Sequence, residues 1–197
     1  MKNLMYTAFV ALLATSCLSD DDTELPPYEP VIIGEQFNMG ADNTILVTEG
    51  WLNIAQTGSA VWKIQKYSGN GYAEFSSFQS GNDVNVGWLI SPAFELPENN
   101  SRILNFEVAQ SYVTSADNTF EVFISTDFNG TNLDTATWTR LDADTPGTNA
   151  VYFEFMDSGD ISLANFSGTA YIGFKVVGSG NNSALDGSYQ VDNVFIH

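Results

Sequence analysis

Apolar and polar residues alternate in short runs along most of this chain, and the runs close on clusters of Gly, Asn, Asp and Ser. Residues 60–67 run into Ser68-Gly69-Asn70-Gly71, and residues 119–124 are followed by Asp127-Phe128-Asn129-Gly130. Residues 151–155 precede Asp157-Ser158-Gly159, and residues 170–177 precede Gly178-Ser179-Gly180. Residues 103–108 and 189–196 carry the same pattern. A two-residue period rich in Val, Ile, Phe, Tyr and Thr, punctuated by turn formers, predicts β-strands. No segment beyond residue 30 is long and periodic enough for a substantial helix. Many strands with such turns predict an all-β sandwich or jelly roll.

Strand side chains alternate between faces. Leu104, Phe106 and Val108 then share one face, and so do Ile172, Phe174 and Val176, with Tyr171 and Lys175 opposite. These apolar sets are the expected core. In the last run the alternation sets Val191, Asn193 and Phe195 against Gln190, Asp192, Val194 and Ile196. Asp192 is thereby expected on a face that turns apolar toward the chain end, where an acid needs a partner or a metal.

The first residues read differently. Lys2 precedes an apolar run at 4–14, too short to span a bilayer but of the length of a secretory signal. Small residues follow, Ala14, Thr15 and Ser16, and then Cys17, the only cysteine. The block resembles the lipobox of bacterial lipoproteins, with Ala14 where leucine is usual. The resemblance implies cleavage before Cys17 and lipidation of its sulfur. Residues 18–30 are acidic and proline-rich, the composition of an extended, flexible tether. Within it Ser19, Asp20, Asp21 and Asp22 resemble the acidic export signal of Bacteroidetes lipoproteins, which implies an outer-membrane, lipid-anchored protein exposed on the cell surface. The expected organisation is a signal peptide at 1–16, a lipidated cysteine and tether at 17–30, and one domain at 31–197, long enough to bury its own core without disulfides.

Charge and residue inventory narrow the function. The chain carries 24 acidic residues against 6 basic ones, a formal charge of −18. Such a surface repels nucleic acid and anionic lipid heads. His197 is the only histidine and the last residue, so histidine triads and histidine-rich metal sites lack material. Gly178-Ser179-Gly180 lacks the Lys-Ser/Thr end of a phosphate loop. Glu107, Glu121 and Glu154 fall in runs expected to be strands and read as outward, solvated carboxylates. No catalytic residue is assigned. Aromatic residues beside turns are the better candidates for ligand contact: Tyr67, Tyr112 and Phe128. Trp88 and Trp138 are expected in the core.

Four stretches carry a family resemblance. Gly87-Trp88-Leu89-Ile90-Ser91-Pro92-Ala93-Phe94-Glu95-Leu96 looks like the Trp-Leu-Ile-Ser-Pro signature of choice-of-anchor J domains. The stretch at 34–38 resembles their opening strand, 123–141 their middle strand–loop–strand, and 189–194 their closing strand. The resemblance spans the folded part. It implies an antiparallel jelly-roll β-sandwich related to MAM-like and carbohydrate-binding sandwiches. The resemblance implies fold and location more than activity, and ligand binding, especially to glycans, is what such domains suggest. With the residue inventory above this gives a non-catalytic binding or adhesion module, with an extracellular glycan or an outer-membrane protein as expected partner. The alternatives are a carboxylate-based glycan-active enzyme or a structural accessory subunit. Related jelly rolls pin the first strand to the last with calcium, which implies a structural Ca²⁺ held by Glu35, Asn38 and Asp192.

Overall fold

A computed structural model of the chain describes residues 30–197. The expected signal peptide and lipidated tether, including Cys17, Ser19, Asp20, Asp21 and Asp22, lie outside the described residues. Among the described residues fourteen antiparallel strands form two sheets. The larger holds β1 (Ile33–Glu35), β2 (Thr44–Ile45), β4 (Lys63–Tyr67), β5 (Asn70–Ser76), β8 (Ile103–Ser111), β11 (Met156–Asp157), β12 (Ile161–Ser162) and β14 (Ser188–Ile196). Its order is β11-β8-β14-β5-β4-β2, with β12 also on β8 and β1 also on β14. The smaller sheet holds β3 (Leu52–Thr57), β6 (Asn85–Ile90), β7 (Phe94–Leu96), β9 (Thr119–Ser125), β10 (Thr139–Leu141) and β13 (Gly168–Gly178). Its order is β10-β9-β13-β6-β3, with β7 also on β13. The crossings between sheets make an antiparallel jelly-roll β-sandwich. Its helical content among the described residues is one short 3₁₀ turn, Leu133–Thr135.

The inward faces meet in one core. Leu104, Phe106 and Val108 on β8 pack toward Ile172, Phe174 and Val176 on β13, all fully or almost fully buried, as the alternation predicts. The Phe106 and Phe174 rings meet edge to face at 5.1 Å. Burying each such side chain stabilises the fold by about 1.5–3 kcal/mol. Gly87 on β6 is required at its place, because a β-carbon there would run into the Phe75 ring.

Two expectations need correction. Residues 151–155 do not form a strand: Val151, Tyr152 and Phe153 are exposed, and β11 begins only at Met156. Phe153 adopts φ 60°, a left-handed conformation no extended strand contains, and its N–H bonds Gln110 O across the sheet edge. The second correction is on β14. Its register against β8 shifts between Asp192 and Phe195, and Asn193 has φ 48°. The extra residue of this β-bulge flips the alternation. Tyr189 and Val191 face the core, then Val194 and Ile196 do, while Ser188, Gln190 and Asp192 point to the outer face. Asp192 is therefore not on the apolar side with Val194. The bulge also marks where β14 changes neighbours, from β5 at 188–191 to β1 at 194–196.

Candidate ligand groove

On the outer face of the larger sheet, small polar residues occupy the middle and rings stand at the margins. Ser188 on β14 pairs in register with Ser76 on β5 and Ser111 on β8, so three serines lie side by side. Gln190 next along β14 pairs with Glu74 and Ala109. Residues this small leave a hollow where larger side chains would fill the surface. The hydroxyls of Ser111 and Ser188 are 2.7 Å apart. Gln190 Nε2 donates to Ser188 Oγ and to Glu74 Oε2, each at 2.8 Å. The floor is thus a connected hydrogen-bond network drawn from three strands.

Loops raise the walls. The β4–β5 turn, with Ser68 at φ 52° and Gly69 at φ 90°, lifts Tyr67 into solvent at 76% exposure. Tyr72 on β5 meets the Phe155 ring at 5.5 Å, edge to face. Beyond the end of β8, Tyr112 stands 4.8 Å from Tyr152, ring to ring. Tyr112 has φ 59° and Phe153 φ 60°. A bulky residue held in the left-handed region costs about 1–3 kcal/mol, and such strain collects at ligand clamps. Gln110, fully buried, ties both walls together. Its Nε2 donates to Ala150 O at 2.8 Å, and its Oε1 accepts from Val113 N at 3.1 Å.

Two cavities result, of about 540 and 510 Å³, each within the size range of ligand pockets. Glu74, Ser76, Phe78, Ser111, Tyr112 and Asp186 line the first. Tyr67, Asn70, Tyr72 and Phe155 line the second, and Phe153 lines both. No Lys or Arg lines either one. Burial, then the neighbouring Glu74 and Asp42 charges, raise the pKa of the Tyr72 hydroxyl above its ordinary value.

Two residues expected at a ligand surface, Tyr67 and Tyr112, are on this groove. Phe128 is not: it is 5% exposed and packs with Trp88 and Ile90 on the opposite side of the sandwich. The loop after β9 folds back over the outer face of the smaller sheet instead of projecting. Asp127 Oδ1 accepts from Thr137 N at 2.7 Å and from Ser125 Oγ at 2.8 Å, which holds the loop down. Trp88 is buried in this second cluster, and Trp138 is half-buried against it. The exposed rings Phe78, Tyr152 and Phe153 were not legible as ligand contacts, although the aromatic density of 151–155 was the signal available.

The acidic candidates separate. Glu107 is on β8, Glu121 is on the smaller sheet within 3.3 Å of Arg140, and Glu154 is in a loop rather than a strand. They do not converge. His197 Nε2 pairs with Asn105 Oδ1 at 2.9 Å. The three expected calcium ligands have side-chain oxygens engaged with protein amides. Glu35 accepts from Phe37 N, Asn38 from Gly71 N, and Asp192 from Asn70 Nδ2 and Asn193 N. No group of three His, Cys, Asp or Glu residues is placed to hold a metal among the described residues. Asp192 is a buried carboxylate bonded to amides, and burial raises its pKa against those two hydrogen bonds, with Glu107 and Glu35 adding to the rise.

No family model matches this chain, and no curated protein matches it. Solved structures share its fold. The K1 cleaved adhesin domain of Lys-gingipain from Porphyromonas gingivalis aligns with a TM-score of 0.54 at 18% identity, covering 84% of this chain and 96% of that one. The K3 domain aligns with 0.54 at 16% identity over 85% and 99%. The K2 domain aligns with 0.55 at 14% identity over 84% and 98%. At these identities the likeness establishes the jelly-roll fold and nothing finer.

Proposed function

We propose that this chain is a non-catalytic binding module that takes a glycan in the aromatic groove of its larger sheet. In this reading it is displayed on the cell surface by a lipid on Cys17, with the Ser19–Asp22 segment as export signal and the domain at 31–197 as the working part. The observation that carries the binding assignment is the groove itself. Rings line its walls, and hydroxyls, an amide and two carboxylates line or underlie its floor. Sugar rings offer C–H faces that stack on aromatic rings and hydroxyls that bond carboxylates and amides. The resemblance of residues 87–96 to choice-of-anchor J domains fits the same picture.

The test is a glycan array probed with the chain and with Tyr67→Ala and Tyr112→Ala. Binding to a glycan that either change weakens at least tenfold supports the module; binding that both leave intact places the ligand elsewhere. Anchoring has its own test. Cys17→Ala should abolish lipid labelling and release the protein from membranes, and retained labelling would refute the lipoprotein assignment. A second reading has one observation in its favour: Glu74 and Asp186 line the same cavity, and paired carboxylates are what glycoside hydrolysis uses. Release of reducing ends from a bound glycan, lost in Glu74→Gln, would establish that reading; binding without release is the expected result.

A further inference from the structure

We propose that the groove takes an uncharged polysaccharide along an internal stretch and rejects acidic ones. This rests on the glycan reading above and names the class of glycan. Outward-facing residues of β5 line the two cavities in succession, Asn70 and Tyr72 the one, Glu74 and Ser76 the other, with Phe78 beyond. The seven residues of β5 span about 20 Å at ~3.3 Å per step. The groove is thus elongated along the strand, and Phe153, which lines both cavities, stands where they meet. An elongated trough suits a run of several sugar units rather than one terminal sugar.

The charge of the lining sets the class. Its two titratable acids, Glu74 and Asp186, have no basic residue beside them in the lining. A uronate or sulfate would enter a partly desolvated groove facing like charge, on a chain of net charge −18, which is unfavourable where solvent is excluded. An amine-bearing glycan is disfavoured for a different reason: Glu74 is not a bare anion. Its Oε2 already accepts from Gln190 Nε2 at 2.8 Å and Ser188 Oγ at 3.4 Å. A carboxylate with donors already on one oxygen is suited to accepting from neutral hydroxyls at the other. The serine hydroxyls, which both donate and accept, complete a floor matched to an uncharged, hydroxyl-rich chain.

Affinity electrophoresis of the full chain in mild detergent tests this. Gels would contain galactomannan, arabinoxylan or mixed-linkage glucan as uncharged probes, polygalacturonate as the acid and chitosan as the amine. The expected result is retardation by at least one uncharged polymer, at least tenfold stronger than by polygalacturonate or chitosan. It should be lost in Tyr67→Ala with Phe153→Ala and should change less than twofold between 50 and 500 mM NaCl. Salt shortens the range of charge attraction and would weaken an amine ligand strongly over that interval. The double variant Glu74→Gln, Asp186→Asn should admit polygalacturonate at least tenfold better than the wild type. Stronger retardation by polygalacturonate or chitosan, through the same rings, overturns the inference while leaving the groove a glycan site. Continued exclusion of polygalacturonate by the double variant overturns its electrostatic basis. Retardation by no polymer removes the glycan reading itself.

Discussion

Both outer faces of the sandwich carry aromatic rings, and they use them in opposite ways. On the smaller sheet, Trp88 lies 5.0 Å from Trp138 and 5.4 Å from Phe123, and Phe128 packs against Trp138 and Tyr171. The loop at 126–138 closes over them, and Lys175 Nζ sits 5.5 Å above the Trp88 ring. On the larger sheet, Tyr67, Phe78, Tyr112 and Phe153 remain exposed around a hollow. The difference begins in the floors. Gly173 on β13 has no side chain, and a β-carbon there would meet Trp88 at 2.9 Å and Trp138 at 3.0 Å, so its absence lets both rings approach the sheet. The larger sheet offers Ser76, Ser111, Ser188, Glu74 and Gln190 instead. Covering those with apolar rings would strip water from polar groups without replacing it. One face has become a second core and the other has stayed open, with ring placement fixed by strained loops rather than by packing.

The sharpest way to break this comparison is to remove one ring from each face. Trp88→Ala takes out a buried indole whose Nε1 donates to Gln56 Oε1 at 2.8 Å. A loss of about 3–5 kcal/mol in unfolding free energy is expected, as for other large core truncations, with ligand binding unchanged wherever the fold persists. Urea titration reads it. Tyr67→Ala on the open face should change stability by less than about 0.5 kcal/mol. It should instead weaken glycan binding at least about tenfold, a loss near 1.4 kcal/mol. Equal stability losses at the two sites would mean that the open rings are structural after all.

How much of this contrast was visible in the sequence depends on what set each residue's place. The alternation of 103–108 and 170–177 was decisive because two packed sheets permit only one facing for such runs. Tyr67 and Tyr112 were legible as exposed because each adjoins a turn that cannot be buried. Phe128 adjoins a turn as well, but its loop is held down by Asp127 bonding Thr137, ten residues away, and no local pattern announces such a contact. Residues 151–155 have strand composition and the wrong destination: their apolar side chains serve a wall, held by Gln110 from β8. The β14 bulge escaped for the reason that one inserted residue leaves alternation intact on either side and reverses its sense between them. The floor network of Glu74, Ser111, Ser188 and Gln190 comes from three strands far apart in sequence, and only pairing brings it together.

A smaller effect sharpens the claim that strain positions the open rings. Tyr112 holds φ 59°, which costs an L-residue roughly 1–2 kcal/mol and glycine almost nothing. Tyr112→Gly loses the contact with Tyr152 and gains unfolded-chain entropy, worth about 0.4–1 kcal/mol against it, while the strain is relieved. Its stability should lie within about 1 kcal/mol of the wild type. Tyr112→Ala keeps the strain and should be the less stable of the two variants by about 1 kcal/mol, with glycan binding weakened in both. A Gly variant clearly less stable than the Ala variant would show that the left-handed conformation is not under strain.

The subtlest distinction between the faces is the pH at which each responds, because each has one carboxylate displaced from the ordinary value of 3.8, in opposite directions. Asp127, on the closed face, is lowered first by the hydrogen bond from the Thr137 backbone and then by Ser125. Its contribution is fully present above the unfolded value and is lost as pH falls through the depressed folded one. Asp192, beneath the bulge of the larger sheet, is raised first by burial. The folded state therefore holds its proton more tightly than the unfolded chain does. That stabilisation is fully present below 3.8 and is lost as pH rises through the raised folded value. Acidification from neutrality should thus strengthen the bulge region in a window above 3.8 and loosen the 126–138 loop in a window below it. Asp192→Asn keeps an oxygen for the Asn193 N–H and removes the buried charge facing Glu107 and Glu35. It should raise the urea midpoint at pH 7 and lose that advantage by pH 3. Asp127→Asn should show the reverse, a deficit at pH 7 that closes in acid, with altered Trp88 and Trp138 fluorescence as the loop frees their rings. Parallel pH profiles for the two variants would mean that the carboxylates on the two faces are not held in opposite senses.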